Sequence, residues 1–187
     1  MRTFIAVDLS EEAKNCVGQL IDRLKSHGWG VRWSKPENVH ITLRFLGEVP
    51  DKLLPQVFEA AEKAASRCAP FMLRLGGASG FGGKNPRVLF LEVYGETDSL
   101  KNLQRELEEE LAGRGFGKED RPFTPHLTLG RRKSGTLPAD WHKLAVPEPL
   151  EWEVAELVVY ASKLTREGPL YTPLARYDLS GEEKRPP

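Results

Sequence analysis

Two of the four histidines stand in matching surroundings: His40 in Val39-His40-Ile41-Thr42-Leu43-Arg44-Phe45-Leu46-Gly47, and His126 in Pro122-Phe123-Thr124-Pro125-His126-Leu127-Thr128-Leu129-Gly130-Arg131. Each is followed two positions later by a threonine, Thr42 or Thr128. Imidazole, with an ordinary pKa of about 6.5, is the side chain able to accept or donate a proton at neutral pH, and a threonine hydroxyl can donate a hydrogen bond to an anionic oxygen. Both runs carry apolar residues at alternate positions, the pattern of a half-buried strand. In a strand, residues i and i+2 share a face. Each His therefore points the same way as its Thr, while Ile41, Leu43, Leu127 and Leu129 point into a core. Two such strands brought together make a polar pocket lined by two imidazoles and two hydroxyls.

Strict alternation also places the cations. Arg44 shares the face of His40 and Thr42, where it is expected either to help hold an anion or to be a surface cation. On the second strand, alternation puts Arg132 rather than Arg131 beside His126 and Thr128, unless Gly130 kinks the chain. A metal is not expected, because each His is paired with Thr, a poor ligand, and neither run holds a carboxylate at ligand spacing. Cys16 and Cys68 lack the spacing of a zinc ribbon or a disulfide framework. His27 and His142 read as surface residues without partner motifs. The run Gly76 to Gly83 lacks Gly-Lys-Ser/Thr and leads into a strand, which excludes a nucleotide P-loop; a flexible rim loop is expected.

The remaining elements must bring these two runs together. Strands are expected at 3–8, 31–33, 40–46, 71–75, 87–94, 123–132, 152–162 and 174–179. Helices are expected from Glu11 to about Ser26 behind an N-cap at Ser10, from about Lys52 to Arg67, and from Thr97 or Asp98 to about Leu111; Pro138 to Leu144 reads as a short fourth. Leu100, Leu103, Leu107 and Leu111 form the core stripe of the third helix, and Glu108-Glu109-Glu110 reads as its solvated face. Few strands are joined by a helical crossover, so an α+β fold with mainly antiparallel sheets is expected: two lobes, helices outside, a central cleft. Residues 1–180 are read as one bilobal unit and 181–187 as a charged, disordered tail.

Composition bounds the partners. Lys and Arg number 27, as do Asp and Glu, so no overall positive field favours wholesale binding to a nucleic-acid backbone, and any such contact is expected to be local. With no signal-peptide pattern and no apolar run of membrane-spanning length, a cytoplasmic protein without membrane contacts is expected.

The chain resembles the two-histidine phosphoesterase superfamily, and within it the RNA 2′,3′-cyclic phosphodiesterases, also called 2′-5′ RNA ligases. The resemblance runs from Arg2-Thr3-Phe4-Ile5-Ala6-Val7 through the two His runs and Pro86-Arg87-Val88-Leu89-Phe90-Leu91 to Leu157-Val158-Val159-Tyr160. It implies hydrolysis of RNA 2′,3′-cyclic phosphate ends to a 2′-phosphate, without cofactor or metal, by a monomer acting on RNA ends or oligonucleotides. It further implies His40 as general acid, His126 as general base, Thr42 and Thr128 on the phosphate oxygens, and Arg131 as the basic residue after the second motif. The residues themselves do not fix which His is the acid. They also leave open action on small cyclic nucleotides, 2′-5′ joining of RNA ends, and binding of RNA ends without turnover.

Overall fold

A computed structural model describes residues 1–182. It contains two sheets, both wholly antiparallel, as the α+β reading expects. The strands are β1 (Arg2–Asp8), β2 (Val31–Trp33), β3 (His40–Glu48), β4 (Phe71–Phe81), β5 (Val88–Gly95), β6 (His126–Arg132), β7 (Glu151–Val154), β8 (Glu156–Thr165) and β9 (Gly168–Asp178). One sheet has the order β3-β1-β8-β9, the other β2-β6-β5-β4-β7. The two histidine strands thus belong to different sheets.

Three longer helices complete the layers: α1 (Glu11–Lys25), α2 (Leu54–Ser66) and α3 (Thr97–Ala112), with a single turn, α4 (Trp141–Leu144). Ser10 caps α1, its hydroxyl accepting the Ala13 N–H at 3.1 Å, which satisfies one of the orphan donors of the first turn. The apolar stripe Ala13, Val17, Leu20, Ile21 and Leu24 is buried, as helical periodicity requires. Helix α2 packs on α3 and on β8 and β9, whereas α3 touches a strand of each sheet, β3 and β4. One contiguous apolar cluster includes residues of both sheets and all three long helices.

Several boundaries differ from expectation for local physical reasons. β4 continues through Gly76, Gly77 and Gly80, where a flexible loop is expected, because the neighbouring strand needs the space. A Cβ on Gly76 would lie 2.6 Å from the Tyr94 ring and 2.7 Å from the Glu92 carbonyl. The expected strand 152–162 is two strands. β7 pairs with β4 and β8 with β1 and β9, so the chain changes sheets at Ala155. β6 begins only at His126, since Pro122 and Pro125 have no N–H for a ladder. β9 begins at Gly168, earlier than expected, because Arg166 and Glu167 turn the hairpin directly. Gly181, expected to begin the tail, donates its N–H to the Cys68 carbonyl at 3.0 Å; residues 183–187 lie outside the described residues.

Candidate active site

β3 and β6 approach one another and line a cleft of about 1000 Å³, which also receives His40, Thr42, His126, Thr128 and Arg131. The positioning depends on a feature common to both strands. Where β1 pairs with β3, Ala6 faces Thr42 and Ile5 faces Arg44, leaving Leu43 as an extra residue. Where β5 pairs with β6, Phe90 faces Thr128 and Leu89 faces Gly130, leaving Leu129 as the extra one. A bulged residue reverses the alternation beyond it. After each Thr the next residue toward the cleft is therefore the third and not the second: Phe45 on β3 and Arg131 on β6.

Arg44, expected beside His40 and Thr42, borders the same cleft, but its guanidinium is engaged elsewhere. Its side chain is buried at 7% exposure, where Nη1 donates to both carboxylate oxygens of Glu108 at 2.8 Å and Nε lies 3.6 Å from the Glu119 carboxylate. Its remaining donors reach the carbonyls of Phe116, Gly117 and Phe45. Most of the guanidinium's five donors are thus engaged within the protein. Glu108, expected on a solvated face, is itself buried, and its Oε2 accepts the Glu119 N–H at 2.9 Å. The pair fastens the segment between α3 and β6, which supplies Glu119, Arg121, Phe123 and Thr124 to the cleft wall.

The same device places Arg131 in the cleft. Arg132 instead donates to the carbonyls of Pro86, Asn85 and Gly135. Gly130 permits the close approach of β2, for a Cβ there would lie 2.7 Å from Val31 and 2.8 Å from the Arg32 carbonyl. Arg32, absent from the motif reading, pairs directly with Arg131 and lines the same cleft. Like charges opposed across strands repel, and among the described residues neither guanidinium has an ion-pair partner. An anion between them would relieve that repulsion.

The two imidazoles are held differently. The His40 ring stacks on Phe4 (4.8 Å between centroids) and meets the edge of Tyr171 (5.2 Å), and its Nε2 lies 3.0 Å from the Thr42 hydroxyl. Burial against these rings pushes the His40 pKa down to about 4, opposed by a backbone hydrogen bond to Asn38 and the negative charge of Asp8. His126 contributes to the downward shift, so the two rings sense one another. Asp8 is the cross-strand partner of His40 and is itself anchored by the Tyr160 hydroxyl at 2.6 Å and by Arg176. His126 places Nδ1 2.7 Å from the Thr124 carbonyl, so Nδ1 carries the proton and Nε2 is left as the other reactive position. Phe81 and Phe90 each meet this ring edge-on at 5.4 Å. None of these aromatic and backbone supports has a motif of its own, although Thr124 is held extended by Pro125.

The His40 shift sets a pH dependence of stability. The unfolded chain takes up a proton near pH 6.5 and the folded chain only near 4, so folding weakens as pH falls through that interval. Urea unfolding at pH 7 and pH 4.5 is expected to show an acid loss larger, by about 2 kcal/mol, in the unmodified protein than in His40→Asn. Equal acid losses would refute the shift.

No group of three or more His, Cys, Asp or Glu side chains suited to a metal ion forms among the described residues. His27 stacks on Trp29 at 5.0 Å beside a separate hollow of about 470 Å³, and His142 borders another of about 620 Å³. Neither belongs to the cleft.

A model of the 2′-5′ RNA ligase superfamily matches residues 13–166. The RNA 2′,3′-cyclic phosphodiesterase of Thermotoga maritima is 37% identical over 185 residues, 97% of either chain. Its namesake from Thermus thermophilus is 36% identical over 195 residues, covering 99% of this chain and 93% of the relative. Among crystal structures, E. coli LigT complexed with 3′-AMP superposes with a TM-score of 0.76 at 30% identity, over 96% of this chain and 98% of LigT. TT0787 of Thermus thermophilus gives 0.76 at 34% identity, over 98% of this chain and 100% of its own.

Proposed function

The chain belongs to the 2′-5′ RNA ligase superfamily, and from that premise we propose that it hydrolyses the 2′,3′-cyclic phosphate at RNA ends, leaving a 2′-phosphate, by proton transfer between His40, His126 and the substrate. The relatives named as RNA 2′,3′-cyclic phosphodiesterases support the reaction class. The observation that carries the reading is the meeting in one cleft of both His, both Thr and the unneutralised pair Arg32 and Arg131. Such a site attracts a small, compact anion and offers a titratable group on either side of it.

In the step proposed, the Nε2 of neutral His126 removes a proton from water as its oxygen bonds to phosphorus. The phosphorus–O3′ bond breaks, and protonated His40 gives its proton to the departing O3′. The phosphate stays on O2′, the two imidazoles have exchanged protonation states, and solvent restores them. Thr42, Thr128 and Arg131 hold the non-bridging oxygens, where hydrogen bonds to a charged group contribute about 1.5–3 kcal/mol. His40 is neutral in the empty cleft at pH 7, because burial disfavours its charge. The substrate's anion supplies the opposing charge beside it, which favours the protonated ring. The acid is thereby charged as substrate arrives.

An oligonucleotide ending in a cyclic phosphate tests the reading. Phosphorus NMR is expected to show loss of the cyclic signal and growth of a 2′-phosphomonoester, unchanged by EDTA. A 3′-phosphate product, loss of turnover with EDTA, or binding without turnover would each overturn it.

A further inference from the structure

The wall of the cleft formed by β3 and β9 is short of side-chain donors. Arg44 is engaged by Glu108, Phe45 has none to offer, and the Thr42 hydroxyl already faces His40 Nε2 at 3.0 Å. One group on this wall is uncommitted. Of the four tyrosines only Tyr171, on the edge strand β9, lines the cleft, and among the described residues no hydrogen bond engages its hydroxyl. The neighbouring Tyr160, by contrast, donates its hydroxyl proton to Asp8 at 2.6 Å. The Tyr171 ring is held in place, meeting Phe4 edge-on at 4.8 Å and His40 edge-on at 5.2 Å. A phenylalanine would pack there equally well, as Phe81 and Phe90 do against His126 at 5.4 Å, so packing does not account for the oxygen.

We propose that the Tyr171 hydroxyl donates a hydrogen bond to a non-bridging oxygen of the phosphate bound in the cleft, and so holds the substrate from the sheet that carries His40. The proposal rests on the reading of the cleft as a cyclic-phosphate site. The positive charges of Arg2 and Arg131 act on this hydroxyl and favour its ionisation, but burial outweighs them and raises its pKa. The phenol therefore keeps its proton at neutral pH and serves as a donor, leaving the role of base to His126. The Arg131 charge it senses is the one assigned to the phosphate, which puts both groups within range of the same small anion. Arg131, Thr128 and Arg32 all draw that anion toward β6 and β2. A donor on β9 balances their pull and keeps the phosphorus between the two imidazoles, and a hydrogen bond to a charged oxygen is the strong kind.

Tyr171→Phe tests this, because it removes one oxygen and keeps the ring. Calorimetry with inorganic phosphate, which needs no turnover, is expected to show about tenfold weaker binding in the variant, the low end of the range for a hydrogen bond to a charged group. With a cyclic-phosphate oligonucleotide, kcat/KM is expected to fall by about the same factor, and the limbs of its pH profile to stay where they stand in the unmodified protein. Unchanged phosphate affinity would overturn the proposal: with turnover also unchanged the hydroxyl is idle, and with a limb of the profile displaced Tyr171 is a support for the His40 ring. Unchanged kcat/KM in an active enzyme would overturn it as well. Weaker phosphate binding by Tyr171→Phe, in a protein that turns over no cyclic phosphate, would leave Tyr171 in place and refute the hydrolase reading instead.

Discussion

His126→Ala and His40→Ala are each expected to lower turnover of a cyclic-phosphate oligonucleotide by at least about 100-fold, the lower end of what a positioned proton donor or acceptor contributes. The far-ultraviolet circular dichroism should remain that of the unmodified protein, because both rings border the cleft and the apolar cluster does not depend on them. The physical reason lies in the reaction. Water is too weak a nucleophile and an alkoxide too poor a leaving group for either half of the exchange to run unaided at neutral pH. Full activity in either variant would end the acid–base assignment. The losses should appear in kcat rather than KM, since the proposed mechanism assigns the phosphate oxygens to Thr42, Thr128 and Arg131.

The second large effect concerns stability. Arg44→Met leaves the Glu108 carboxylate buried without its guanidinium, and breaking a buried ion pair from one side costs about 3–5 kcal/mol. The double variant Arg44→Met with Glu108→Leu is expected to regain most of that loss, because replacing both partners by apolar groups is often close to neutral. Denaturant titration of the single and double variants checks this. An Arg44→Met protein of unchanged stability but raised KM would assign Arg44 to the phosphate and refute its role as a fastening to Glu108.

That pair also marks where sequence reading stops. The α+β class follows from the order of strands and helices, and the shared face of each His and Thr follows from a period of two. Alternation then fails one residue later in both strands. A bulge is a property of the register between neighbours, and nothing in Leu43 or Leu129 announces the extra residue. Arg131 consequently takes a place in the cleft that simple alternation denies it, and the Arg44 guanidinium is drawn to Glu108. Glu108 is a similar case. A run of three glutamates reads as solvated, but Glu108 lies one residue after Leu107 and three before Leu111, on the margin of the buried stripe, within reach of Arg44. Arg32 and Phe45 carry no motif, and only the pairing of β2 with β6 and the bulge in β3 bring them to the site.

The central claim is that two imidazoles from different sheets act on one phosphorus, one giving a proton and the other taking it. The pH dependence of the residual kcat/KM of the two single variants tests it most directly. With His40 removed, activity should only rise with pH as the surviving base His126 loses its proton; with His126 removed, it should only fall with pH as His40 loses the proton it must donate. A bell-shaped profile persisting in both variants would show that the titrating groups lie elsewhere, and would contradict the account.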